Sequence, residues 1–114
     1  MNFNNYTQKS IEAVQSAQTI ARDNSNQCME QIHLLCALLT QENGLAPQLL
    51  KKMDVTVESL DAAARAALNK LPRVTGSREA DKFYVSADLD AAFSAAEQQA
   101  KLMHDDYVSV EHLL

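Results

Sequence analysis

The residue types able to do chemistry in this chain fall into three small groups. Cys28, His33 and Cys36 carry the donor atoms of a zinc site, Asp105, Asp106 and Glu111 are carboxylates close in sequence, and His33 and His112 are imidazoles able to move protons. Each group fails a simple test. The two cysteines, the only ones in the chain, lie near the two ends of one predicted helix, about 12 Å apart along its axis, and no Cys-x-x-Cys pair closes a site. That separation also forbids a disulfide, so both read as reduced core thiols. Asp105 and Asp106 sit in a turn that should be well solvated, not in the cleft that acid–base catalysis needs. No nucleophile stands beside a base. With only Gly44 and Gly76 in the chain, no Gly-rich loop can cradle a triphosphate. The reading is a non-enzymatic chain with no metal and no cofactor of its own.

The elements that must position these residues are helical. Of 114 residues, 46% are hydrophobic and 22% charged, enough for one core. Two glycines and two prolines, set against abundant Ala, Leu, Gln and Glu, favour helix because those residues lose little rotamer freedom there. A net charge of −5 with no Lys/Arg cluster offers nothing to nucleic-acid phosphates or to an anionic membrane. No apolar run approaches the roughly 20 residues of a membrane span, and the start "MNFNNYTQKS" lacks the regions of a signal peptide. The expectation is a cytosolic, all-α protein.

Along the chain, Thr7 opens a helix to about Arg22 with Ile11, Val14, Ala17 and Ala21 on one stripe. After the turn-rich "DNSNQ", Met29, Ile32, Leu35, Cys36 and Leu39 share a face that Leu34 and Leu38 widen, which predicts a central helix. Asn43-Gly44 marks a stop, and Leu49, Leu50 and Met53 a short helix entered near Pro47. Thr56, as a cap, leads a fourth helix through Val57, Leu60, Ala64, Ala67, Leu68 and Leu71. Residues 72–85 read as a surface linker. Ser86 then caps a helix whose stripe is Leu89, Ala92, Phe93, Ala96, Ala100 and Met103, with Tyr84 and Tyr107 packing at its ends. In "HDDYVSVE", Ser109 reads as a further cap with Glu111 in the first turn, where the helix dipole favours a carboxylate.

The chain also resembles itself. At an offset of 79 residues, from His33 to His112, Thr7 meets Ser86, Ala13 meets Ala92, Val14 meets Phe93, Ala17 meets Ala96, Ala21 meets Ala100, Arg22 meets Lys101 and "HLL" meets "HLL". Caps and core positions repeat in one ungapped register, which predicts two pseudo-symmetric helical units with a groove between them. The first repeat spans 7–71, the linker 72–85, and the second repeat begins at 86. By position, helices matching Cys36 to Leu71 should follow Leu114, so the second repeat reads as incomplete.

The segments "YTQKSIEAVQSAQTIA", "IHLLCALL", "LPRVTG", "YVSADLDAAF" and "DDYVSVEHLL" together resemble the N-terminal double Clp repeat of ClpB-type AAA+ protein disaggregases, over essentially the whole chain. One departure is "MEQIHLL", whose Gln31-Ile32 stands where the family often carries Thr or Val followed by Glu. A role tied to that Glu therefore carries over only to Glu111.

The resemblance implies a substrate-binding module on a hexameric, ATP-driven ring that works with a DnaK-type chaperone system. ATP and Mg would belong to AAA+ modules that this chain lacks. It further implies that exposed apolar segments of unfolded or aggregated polypeptides are captured in the groove, with Thr7, Val85, Leu89, Phe93, Asp105 and Glu111 as candidate binding residues. Such binding would be non-directional, because non-native chains share apolar side chains and not a sequence. The alternative is a docking module for a folded adaptor, as in ClpA or ClpC. His33 and His112, being repeat equivalents, read as packing or hydrogen-bonding residues and not as ligands.

Overall fold

The computed structural model describes residues 3–26, 28–41, 44–71 and 84–113. Six helices form along them: α1 (Gln8–Asp23), α2 (Gln31–Thr40), α3 (Leu45–Lys52), α4 (Val57–Asn69), α5 (Ala87–Leu102) and α6 (Val110–Leu113). The fold is all-α. Extended backbone among the described residues is limited to β1 (Cys28–Met29) paired in parallel with β2 (Tyr84–Val85), and to a bridge between Tyr6 and Val108.

Both long helices begin on a side-chain cap. Thr7 Oγ1 accepts from the Ser10 N–H at 3.3 Å, and Ser86 Oγ accepts from the Leu89 N–H at 3.1 Å. Each satisfies an N–H that the helix leaves without a partner, worth about 1 kcal/mol. Both then bury a stripe at helical spacing: Ser10, Ala13, Val14, Ala17 and Ala21 in α1, and Leu89, Phe93, Ala96 and Ala100 in α5. Both stop in the same way, with Ser25 (φ 56°) and His104 (φ 58°) in the left-handed region just past the helix end. This conformation usually calls for glycine, and here it is met without one.

Those pairs are all 79 residues apart, and the tertiary contacts keep the same register. The Thr7 N–H donates to Val108 O at 2.9 Å, and the Ser86 N–H donates to Met29 O, also at 2.9 Å. Thus each repeat's α1-type helix starts where the other repeat's chain runs into its α2-type helix. The pseudo-symmetry is built from reciprocal contacts between the repeats, which is why their shared core is continuous.

That core gathers Ala13, Val14, Ala17, Leu34, Ala37 and Leu38 from the first repeat with Leu89, Phe93, Ala96, Ala100, Val108 and Val110 from the second. Phe3, Tyr6 and Phe93 meet edge to face within it, with centroids 4.9 to 6.3 Å apart. A smaller cluster, Cys36, Leu39, Leu50, Ala64 and Leu68, fastens α3 and α4 to the far side of α2. The wide apolar circumference of α2 is therefore used on both sides, as a central helix requires.

Several details differ from the sequence reading. Cys28 and Met29 lie outside α2, in β1, because their backbone is drawn into pairing with β2. Thr56 occupies the cap position of α4 but its side chain makes no capping bond. Met103 leaves the α5 stripe at the helix end and is 54% exposed, and Tyr107 is exposed instead of packed. Of the linker, residues 72–83 lie outside the described residues, as does the Tyr84 side chain, while Tyr84 and Val85 are extended. No described helix is long and apolar enough to cross a membrane.

Candidate functional site

Between the repeats runs an apolar groove of about 410 Å³, lined by Ile32, Leu34, Leu35 and Leu38 of α2, Leu89 and Ala92 of α5, and Leu113 of α6. Gln31 supplies polarity at its rim. The Gln31 Nε2–H donates to Asp88 O at 2.9 Å, tying the start of α2 to the start of α5 and so setting the width of that end. The volume suits a few apolar side chains, and lies within the range of small-ligand sites.

The candidate binding residues divide between this groove and two junctions. Leu89 forms part of the groove wall, although neighbouring side chains leave it fully buried. Phe93, one turn further along α5, is enclosed by Phe3 and Tyr6 and presents no open face. Val85 stands 36% exposed on β2, beside Met29. At the other junction the Thr7 N–H is bonded to Val108 O, while Asp105 is bonded to His112 and Glu111 sits in the first turn of α6. There Ser10 Oγ donates to Val108 O at 3.1 Å, and the Tyr6 hydroxyl donates to Glu97 Oε1 at 3.2 Å. Burial and the Glu97 charge push the Tyr6 phenol above its ordinary range, so it remains a donor.

Asp105 is fixed by a contact that sequence reasoning missed. His112 Nδ1 accepts from the Ser109 N–H at 2.9 Å, so the hydrogen of the neutral ring sits on Nε2, which donates to Asp105 Oδ2 at 2.9 Å. The first repeat has the same corner. His33 Nδ1 accepts from the Glu30 N–H at 2.8 Å, and Nε2 donates to Asn26 Oδ1 at 2.8 Å. The signal was available: the 79-residue offset that joins the histidines also joins Asn26 to Asp105. Glu111 is exposed and makes no ion pair among the described residues.

The α2 side of the groove was the other omission. Ile32, Leu35 and Leu38 read as part of a central helix; of these Ile32 and Leu35 are partly exposed and Leu38 is buried, and α2 supplies five of the eight lining residues. Burial raises both Cys28 and Cys36 above the ordinary thiol range, consistent with inert thiols. Among the described residues there is no cluster able to hold a metal ion.

Residues 5–114 match the Clp repeat (R) N-terminal domain family. The chain belongs to that family. Similar curated proteins include the chaperone protein ClpB of Bacillus cereus, 41% identical over 115 residues, and that of Porphyromonas gingivalis, 39% identical over 114. In both cases all of this chain is aligned, but only 13% of the relative's length. Among solved structures, the Hsp104 N-terminal domain from Candida albicans superposes with a TM-score of 0.85 at 18% identity, covering 96% of this chain and 71% of that one. The N-terminal domain of ClpD from Arabidopsis thaliana gives 0.73 at 20% identity, covering 99% and 75%. These structural likenesses carry the fold alone. The sequence matches carry the family, so the groove and both histidine corners belong to a Clp N-terminal domain.

Proposed function

We propose that this Clp N-terminal domain captures exposed apolar segments of unfolded or aggregated polypeptides in the groove between its repeats, as the binding module of a ClpB-type disaggregase. The observation that carries this reading is the groove itself, whose lining has seven apolar residues and one polar one, Gln31. A surface of that kind rewards any apolar side chain and demands no particular sequence. Ile32 and Leu35 would meet the bound segment, the buried Leu89 and Phe93 would stiffen the wall behind it, and Val85 would extend the apolar surface at the rim. Thr7, Asp105 and Glu111 would act at the second junction. ATP and Mg would be handled by AAA+ modules of a hexameric ring, with a DnaK-type system as partner, in the cytoplasm.

Titrating this domain with a reduced, carboxymethylated globular protein that stays unfolded tests the proposal. Binding should saturate, and Ala92→Glu and Leu35→Gln, which place polar groups in the groove, should weaken it several-fold without unfolding the domain. If neither variant changes the affinity, the groove is not the site. Tight binding to a folded adaptor alone would favour the docking role of ClpA- or ClpC-type domains.

A further inference from the structure

The groove and the Asp105 junction share one element. On α6, Leu113 lines the groove while the adjacent His112 turns to the other side and bonds Asp105. The start of α6 is anchored by the buried Val110, by the Val108 N–H donated to Asn5 O at 2.7 Å, and by the bonds of His112 to Ser109 and Asp105.

The first repeat shows what such a corner does when no ligand can reach it. Asn26 is 2% exposed and His33 fully buried, yet the two make the same bonds in the same register and fasten α2 to the end of α1. A neutral amide suffices for that task. In the second repeat the His112 side chain is 2% exposed, its Nδ1 also lies 3.1 Å from Ser109 Oγ, and the acceptor at Nε2 has become a carboxylate 43% exposed.

We propose that His112 is a positioning residue which, through Asp105, latches α6 to the end of α5 and so holds Leu113 on the groove. Asp105 serves a bound chain through this latch and not by touching it. The inference rests on the groove reading above for its effect on binding, but the latch itself is a property of the unliganded domain.

The test compares Asp105→Asn, Asp105→Glu and Asp105→Ala. Two readouts are taken on each: the nitrogen shifts and tautomer of His112 with the Leu113 methyl shifts, and affinity for the carboxymethylated unfolded probe. His33 is the internal reference and should not move. A latch predicts that Asp105→Asn, which copies the first repeat, keeps the Nε2–H tautomer, the Leu113 shifts and the affinity. Asp105→Ala should keep the tautomer, which the Ser109 N–H sets, but shift the His112 Nε2 resonance and the Leu113 methyls, with affinity falling roughly tenfold, about the size of one hydrogen bond. Asp105→Glu retains the charge but displaces the acceptor, so it should behave like Asp105→Ala, and it remains informative if the alanine variant does not fold.

The opposite pattern overturns the latch: Asp105→Asn weakening binding as much as Asp105→Ala while His112 and Leu113 stay unchanged, or Asp105→Glu binding normally. If the unmodified domain does not bind the probe at all, the groove reading fails separately, and unchanged His112 and Leu113 spectra in Asp105→Ala would still refute the latch.

Discussion

The two histidine corners share a backbone pattern and differ at the Nε2 partner, Asn26 in the first and Asp105 in the second, and in what covers them. At the first, Asn24 Nδ2 also donates to Asn26 Oδ1 at 2.9 Å and to Leu68 O at 3.2 Å, so the corner is sealed beneath α4. At the second, the position equivalent to Asn24 is the exposed Met103, and Asp105 meets solvent. The lesson concerns tolerance. A sealed corner must use neutral groups, because a buried carboxylate costs several kcal/mol unless fully paired, whereas an exposed corner can carry charge at little cost. The same geometry therefore permits Asp only where the cover is absent.

The largest expected break in the pseudo-symmetry comes from the core beneath the corners. Phe93 and Val14 are repeat equivalents, with Phe93 fully enclosed and Val14 9% exposed. Phe93→Ala should cost about 3–5 kcal/mol, and Val14→Ala roughly 1–2 kcal/mol, because the larger side chain leaves the larger cavity. Urea unfolding of both variants checks the ratio, and equal costs would mean that the repeats do not share one core.

Exchanging the acceptors should have the next effect. Asn26→Asp places a carboxylate in the sealed corner and should cost about 2–4 kcal/mol, while Asp105→Asn should change stability by less than about 1 kcal/mol. Denaturant midpoints at neutral pH distinguish these outcomes. Equal and small changes would show that the first corner is open to water.

A smaller effect is set by pH. Burial lowers the His33 pKa below its ordinary value, partly offset by its backbone hydrogen bond at Glu30. The unfolded chain then takes up a proton near pH 6.5, before the folded state does, so the contribution of His33 is fully present above that value and declines as pH falls below it. His33→Gln should flatten this part of the stability profile between about pH 7 and 5. An unchanged slope would assign the acid sensitivity to other groups.

The smallest expected difference lies between the two caps. Thr7→Ala and Ser86→Ala should each cost about 1 kcal/mol, since both caps make one bond to the N–H three residues on. Thermal unfolding of the pair would show whether Thr7, whose hydroxyl also donates to Ser10 Oγ at 3.0 Å, is the more valuable.

Much of this was legible in advance because it is local. Caps at Thr7 and Ser86, the apolar stripes of α1 and α5 and the helical class follow from spacing and side-chain chemistry within a few turns. Cys28 was misplaced because a two-residue pairing with β2, more than fifty positions away, overrides a weak helical pattern. Tyr107 and Met103 were misjudged because an apolar residue at a helix end reads the same whether or not something covers it.

By itself, the amino-acid sequence determined the helical class, the capped starts of α1 and α5 and the 79-residue register, since periodicity and capping act through neighbours along the chain. The tertiary structure decided what the register could not: that α2 and α5 leave a groove while α2 and α4 close one, and that Asp105 finds His112. It also decided that Phe93 is sealed where Leu89 lines a wall. These depend on which distant surfaces meet. Two positions equal in sequence pattern become unequal once one is covered and the other is left to water.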